Sequence, residues 1–380
     1  MLRTSNSDLM KLFILVCILF FSLSQNTLVA QKQLKPGFDL NEYIDLIAVM
    51  SNQVDTAITK EFLPIPDGYQ LDYRSEVIGL DNRWDLWMRH DSVAILSIRG
   101  TTANSVSWLQ NFYAAMAPAR GRLRLTSDFS FDYKLAIHPD AGVHVGWLIG
   151  TAFLARDMLP KIDSCYQAGI RKFIVSGHSQ GGAIAYLLSS HLYHLRQDGQ
   201  LPDDIVLKTY CSAAPKPGNL QFAYDYERLT QGGWSVNVVN AADWVPETPL
   251  SIQTLSDFNT VNPFTDARTM IKKQPFPRNM ALNFMYGQMD RPTRRSQKRL
   301  QKYLGRKAAK YVKLTLPDYQ PPRYVGSNSY VRTGEYFVLY PDRNYFLSYP
   351  EVAEDKFVHH MFKPYFYLAT ELFKKEHPKL

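Results

Sequence analysis

The chain has 380 residues, 46% hydrophobic, 13% aromatic and 21% charged, with 43 Lys or Arg against 35 Asp or Glu, a formal net charge of +8 and three Cys. This composition excludes an extended disordered protein, a collagen-like repeat and a small disulfide-stapled scaffold, because so long and apolar a chain can bury a large core. The basic balance fits nucleic acid, an anionic surface or solubility alone, so the position of the charge has to decide.

Arg3 and Lys11 precede an uninterrupted apolar run of ten, Leu12 to Phe21. A bilayer-spanning helix needs about 20 apolar residues, whereas a run of this length fits the hydrophobic region of an export signal. Cleavage after Ser24 or Ala30 meets the small-residue rule. The expectation is a signal peptide at 1–30 and one domain at 31–380, secreted or periplasmic, with an uncleaved anchor or a buried helix as the alternative. Cys17 leaves with the signal. Cys165 and Cys211 remain and are read as two buried thiols rather than a bridge, one on a helix and one in a core strand.

From 39 to 62 apolar residues recur at helical spacing, and Pro64 and Pro66 end the run. Strands are predicted near 73–80, 84–90 and 93–99, the last nearly all apolar, as a strand buried on both faces should be. Then come a helix at 145–168, a strand at 172–176, a helix at 181–195, a strand at 205–211, a helix at 219–230 and a strand at 235–240. Alternation of this kind implies crossover units and a mostly parallel sheet flanked by helices, an α/β fold. A Pro-rich, basic insertion at about 251–330 shows no clear strand. A strand at 336–340 and a helix at 356–375 complete the pattern.

Gly177-His178-Ser179-Gln180-Gly181 matches G-x-S-x-G directly after a buried strand and directly before an apolar helix, the setting in which a sharp turn exposes a serine Oγ. A hydroxyl is a poor nucleophile until a base takes its proton, and the base needs an acid to fix its tautomer. Asp243 follows the strand 235–240 by three residues, at the carboxyl edge of the sheet. Of the nine histidines only His359, His360 and His377 lie beyond it. His377 is close to the C-terminus, which leaves His359 and His360, placed at the start of the last helix so that only one of them points to the site.

In order along the chain stand Ser97-Ile98-Arg99-Gly100-Thr101, Val143-His144-Val145-Gly146-Trp147, the serine turn, Ala214-Pro215-Lys216-Pro217-Gly218-Asn219 and Asn240-Ala241-Ala242-Asp243-Trp244-Val245-Pro246. Together they resemble the class 3 lipases of the α/β-hydrolase superfamily over roughly 73–250 and 334–375. The resemblance implies an ester hydrolase with Ser179, Asp243 and a histidine as its triad, Thr101 and the Gln180 N–H as oxyanion donors, and His144 as a structural residue. It also implies an aromatic five residues after the catalytic histidine. Tyr365 stands five after His360, so His360 is chosen over His359. Two departures are the long segment between Asp243 and His360 and a tryptophan, Trp147, where phenylalanine is more usual. The substrate expected is a lipid or other carboxylic ester, with no metal or organic cofactor. The same triad serves phospholipases, thioesterases and peptidases, and a non-catalytic lipid-surface-binding homologue is the reading from another class.

Val106, Leu109, Phe112 and Tyr113 lie near one helical face within 103–118, which reads either as a lid helix or as an ordinary packed helix. Residues 266–313 hold 14 Lys or Arg and two Asp, a local +12, and the remaining 29 basic and 33 acidic residues balance to −4. Between Arg295 and Val312 seven basic residues alternate with Leu300, Tyr303, Leu304, Ala308, Tyr311 and Val312 as an amphipathic basic helix. It suits either contact with an anionic membrane surface or a solvated outer face, whereas nucleic acid fits poorly with export and acyl-transfer chemistry. The sequence carries no indication of oligomeric state.

Overall fold

The computed structural model describes residues 34–53 and 62–378, so the expected signal at 1–30 lies outside the described residues. Among the described residues no helix is long and apolar enough to cross a membrane. In chain order the structure runs α1 (Leu40–Ser51), β1 (Tyr69–Arg74), β2 (Trp84–Arg89), β3 (Val93–Ile98), α2 (Ser105–Phe112), β4 (Met116–Pro118), β5 (Arg120–Arg124), β6 (Ser130–Lys134) and β7 (Gly142–His144). It continues with α3 (Val145–Gln167), β8 (Lys172–His178), α4 (Gln180–Gln197), β9 (Val206–Ser212), α5 (Leu220–Thr230) and β10 (Ser235–Asn240). The insertion contributes α6 (Ala267–Lys272), α7 (Arg278–Leu300), a π-helical turn at Gln301–Lys307 and α8 (Ala308–Thr315), before β11 (Glu335–Leu339), α9 (Arg343–Ser348) and α10 (Phe362–Glu376).

Seven strands form one sheet in the order β1-β2-β3-β8-β9-β10-β11. The first two pairings are antiparallel and the other four parallel, with Ile98 opposite Gly177 and Val238 opposite Phe337. This is the α/β-hydrolase architecture. All six residues of β3 are buried. Ala94, Leu96 and Ile98 join Phe173, Val175 and Leu207 in a core shared with α3 and α4. The alternating residues on the other face, such as Tyr210, meet α1, where the Tyr43 and Tyr210 rings lie 6.3 Å apart. Side chains both in-plane and below are covered, which is why these strands read as continuous apolar runs.

Several helices start where a short polar side chain satisfies a free N–H group. Asp39 accepts from Glu42 N, Asn219 from Phe222 N and Asp342 from Tyr345 N.

Four sequence expectations need correction. The first strand is 69–74, not 73–80. It is an exposed edge strand with a mostly polar outer pattern, and after Arg74 the chain turns, closed by paired Ile78–Asn82 bonds of 2.8 Å. The opening helix ends at Ser51, and residues 54–61 lie outside the described residues. The last helix starts at Phe362, so His359 and His360 sit in the turn before it. The basic helix at 295–312 is not regular α-helix throughout: the π turn at 301–307 inserts an extra residue per turn and rotates the pattern. Gly305, Ala308, Ala309, Val312 and Leu316 therefore face inwards, and Tyr303 and Tyr311 remain exposed. Ala308, Ala309, Val312, Leu316 and Tyr319 belong to the main core, so the insertion's end is part of the body of the domain. Cys165 and Cys211 are free, buried thiols.

Of the buried histidines, His144, His178 and His191 have their ring pKa lowered by burial, His144 to about 3, His191 to about 4 and His178 to well below the ordinary value near 6.5. In the unfolded chain all three take up protons near pH 6.5, so between that pH and about pH 4 the unfolded state binds more protons and stability falls as pH falls. Urea unfolding at about pH 7 and about pH 4.5 should show the loss, at most about 1.4 kcal/mol per histidine per pH unit. A His191→Phe variant should lose less over the same interval.

Candidate active site

The site begins with backbone geometry at the end of β8. Ser179 has φ 59° and ψ −128°, a conformation that a non-glycine residue adopts only under constraint from its surroundings. The turn is so tight that a Cβ on Gly177 would lie 2.3 Å from the Gly181 backbone, and one on Gly181 would lie 2.3 Å from Ile98 O. The two glycines allow the strand to reverse into α4 and leave the serine side chain at the carboxyl edge of the sheet.

There Ser179 Oγ lies 2.8 Å from His360 Nε2, and His360 Nδ1 lies 2.7 Å from Asp243 Oδ2. A carboxylate only accepts, so Nδ1 carries the proton and Nε2 is free to accept the serine hydroxyl. Asp243 is fully buried, and its carboxylate has two further donors: Val245 N reaches Oδ1 at 3.0 Å and Tyr365 OH reaches Oδ2 at 2.8 Å. His360 is fixed through its backbone as well. Its N–H donates to Phe357 O at 2.8 Å, and its carbonyl accepts from His178 Nε2 at 2.6 Å. His178 must then accept at Nδ1 from Ser212 Oγ, 3.0 Å away, which in turn accepts from Tyr43 OH at 2.8 Å. Both rings of the His178–His360 pair sit 5.0 Å apart, and the neutral state of His178 avoids a second charge beside His360.

His359 points elsewhere. Its Nδ1 accepts from Tyr345 OH at 2.9 Å, and Asn240 Nδ2 donates both to its carbonyl and to Tyr345 OH. The adjacent histidines thus diverge because the chain is in a turn, not because they occupy different sides of a helix.

Thr101 follows Gly100, where an added Cβ would lie 2.9 Å from His178 O and 3.6 Å from Ser179 Cβ. Thr101 Oγ1 accepts from Asn111 Nδ2 at 2.9 Å. The amide is oriented by Trp147 Nε1, which donates to Asn111 Oδ1 at 3.0 Å, and Asn111 O accepts from His144 Nε2 at 3.1 Å. His144 also caps α3 through Nδ1, which accepts Trp147 N. It is therefore a neutral, structural ring, and the tryptophan supplies a donor that phenylalanine lacks. The Gln180 side chain exchanges two bonds of 3.2 Å with Ser107 in α2. Together with Asn111 this ties α2 to the serine turn as a packed helix. Val106 and Leu109 pack against the core and Tyr113 is buried, so the apolar face drawn from the sequence is divided, with Phe112 and Trp108 left exposed. Trp108 and Trp244 flank Phe357, at ring distances of 6.2 and 5.3 Å, and make an aromatic rim beside His360.

Asn111, His178, Tyr345 and the Gln180 side chain have no local sequence signal, because each acts on a residue far away in the chain. Tyr365 does carry a signal, in its spacing of five residues from His360.

Residues 95–252 match the family model described as lipase (class 3). Among solved structures, the chain is similar to Lip2 lipase from Yarrowia lipolytica, at 20% identity and TM-score 0.41 over 57% of this chain and 79% of that one. It is also similar to the Rhizomucor miehei lipase propeptide complex (21%, TM-score 0.38, 55% and 62%) and to the lipase from Rhizopus microsporus var. chinensis (22%, TM-score 0.38, 56% and 68%). No curated protein matches the sequence. The family match covers 95–252 of the 380 residues and takes in the serine turn and Asp243, so over that stretch the chain is similar to class 3 lipases, and its seven-stranded, mostly parallel sheet carries the Ser179, His360 and Asp243 arrangement of a serine ester hydrolase.

Proposed function

We propose that the protein is an exported hydrolase of lipid carboxylic esters that works through an acyl-enzyme on Ser179. The observation that carries this reading is the unbroken line from Ser179 Oγ through His360 to the buried Asp243, with spacings of 2.8 and 2.7 Å. Export rests on the charged and apolar pattern of residues 3–21, and the lipid preference on the exposed aromatic rim of Trp108, Phe112 and Trp244.

In the first half-reaction Ser179 Oγ attacks the ester carbonyl carbon while its proton passes to His360 Nε2. Asp243 remains ionised and stabilises the imidazolium. Negative charge develops on the former carbonyl oxygen, where the Gln180 N–H and the Thr101 hydroxyl donate to it. Because Thr101 Oγ1 is already an acceptor for Asn111, its hydrogen is left for the oxyanion. Collapse of the intermediate breaks the ester C–O bond, His360 gives the proton to the departing alkoxide, and the alcohol leaves. A water then repeats the sequence against the acyl-enzyme and releases the carboxylic acid, restoring Ser179.

A fluorophosphonate probe should label the wild-type protein and fail on Ser179→Ala, and labelling of both or of neither removes the reading. His360→Ala should lower ester turnover by about 10⁴-fold or more, while His359→Ala keeps most of it; the reverse pattern would exchange the two histidines.

Thr101→Val should lower kcat by about 10²–10³-fold with little change in KM. Asn111→Leu should reproduce part of that loss, and Trp147→Phe a smaller part. Equal activity in all three would remove Thr101 from the oxyanion site.

A further inference from the structure

We infer that the hairpin of α6 and α7 is an anchor for an anionic lipid surface, separate from the aromatic rim at the catalytic mouth. The inference deepens the lipid-ester reading and rests on it for the choice of a lipid surface. Met270, Phe276, Met280, Phe284, Met285 and Met289 are each at least 59% exposed. In the stretch 278–290 only Gly287 and Asp290 are buried, so the front of α7 stands clear of the hydrolase body. Isolated exposed apolar residues are ordinary on a protein surface, but six large ones within twenty residues form a patch that calls for a partner.

The charge on the same element selects that partner. Met280, Phe284, Arg291, Arg295 and Lys298 stand at i, i+4, i+11, i+15 and i+18, so an apolar half-stripe runs into a basic one along a single side of α7. The two acids in the 266–313 segment are Asp266 and Asp290, and Asp290 is already neutralised by Arg268 at 3.0 Å and Arg294 at 2.7 Å. That clamp, with a buried carboxylate and two half-exposed guanidinium groups, holds α6 on α7 and presents the apolar side chains on a braced element. A lipid surface satisfies both halves, since acyl chains take up the methionines and phenylalanines while anionic headgroups meet the guanidinium and ammonium groups. A nucleic acid would meet the charge and leave the apolar half in water. Behind the hairpin, Ala115 N donates to Leu304 O at 3.1 Å, so its base is seated on the chain leaving α2.

Because Ala308, Ala309 and Val312 are core residues, the test uses surface substitutions and not a deletion. The full-length protein is floated with vesicles of phosphatidylcholine and phosphatidylglycerol, with phosphatidylcholine alone and in high salt, and is titrated in parallel with duplex DNA. Wild type and Ser179→Ala should float equally with the mixed vesicles, less with the neutral ones and less in high salt. A Phe276→Ser, Met280→Ser, Phe284→Ser variant should bind the mixed vesicles at least about tenfold more weakly. An Arg291→Glu, Arg295→Glu, Lys298→Glu variant should do the same, and both should keep the wild-type rate on a short soluble ester and a native circular dichroism spectrum. Vesicle binding unchanged in either variant, absent in wild type, or replaced by DNA binding that ignores the apolar substitutions would overturn the inference. Normal flotation of a protein that neither labels nor turns over ester would instead count against the enzyme reading alone.

Discussion

The imidazole of His360 has to be held in one plane, one tautomer and one position while its own charge is free to change, and much of the structure's irregularity serves that constraint. A helix or strand would fix only its backbone. The turn before α10 does more: it lets the ring reach Ser179 and Asp243 while the backbone N–H and carbonyl are tied to Phe357 and His178. The second tie depends on a ring that stays neutral. Burial keeps His178 uncharged, and the Ser212–Tyr43 chain keeps its donor aimed at the His360 carbonyl. Tyr43 lies in α1, so the opening helix reaches the site through two hydroxyls and one imidazole, with no contact of its own to the reacting atoms. Asp243 is supported in the same manner by Val245 N and Tyr365 OH, so α10 supplies the acid's partner as well as following the base.

The alternating core was legible in the sequence because strands covered on both faces have to be apolar throughout, as β3 and β8 are. So was the serine turn, since two glycines flank a serine only where the backbones of β8 and α4 come into near contact. The edge strand β1 was misplaced for the opposite reason: an exposed strand has no need of an apolar pattern. Periodicity also extended α10 across His359 and His360, because a turn packed on aromatic residues has the same apolar content as a helix. The choice between these two histidines depended on the spacing to Tyr365, which the resemblance supplied and the periodicity did not. Asn111 and the Gln180 side chain were not legible at all. Their partners lie 10 and 73 residues away, and an amide in a chain carries no mark of which way it will be turned.

Two groups of exposed apolar side chains in this molecule differ in chemistry. The rim of Trp108, Phe112 and Trp244 is aromatic and sits on elements tied to the serine turn. The α6–α7 hairpin is rich in methionine and basic residues and sits within the insertion. The π turn at 301–307 joins the exposed hairpin to the core. By rotating the helical pattern it lets one nearly continuous stretch of helix be solvent-facing in α7 and core-forming in α8.

The insertion lies between the acid and the base in sequence, and this sets an order in time. Ser179 precedes His360 by 181 residues and Asp243 precedes it by 117. A ribosome therefore completes the nucleophile and its strained turn long before it makes the histidine, and every nascent chain passes through a stage in which the serine has no base. Over that interval the residues 308–319 that close the core are also still to come. On the proposed mechanism the order of synthesis alone keeps the nascent serine without a proton acceptor until the turn before α10 has been made.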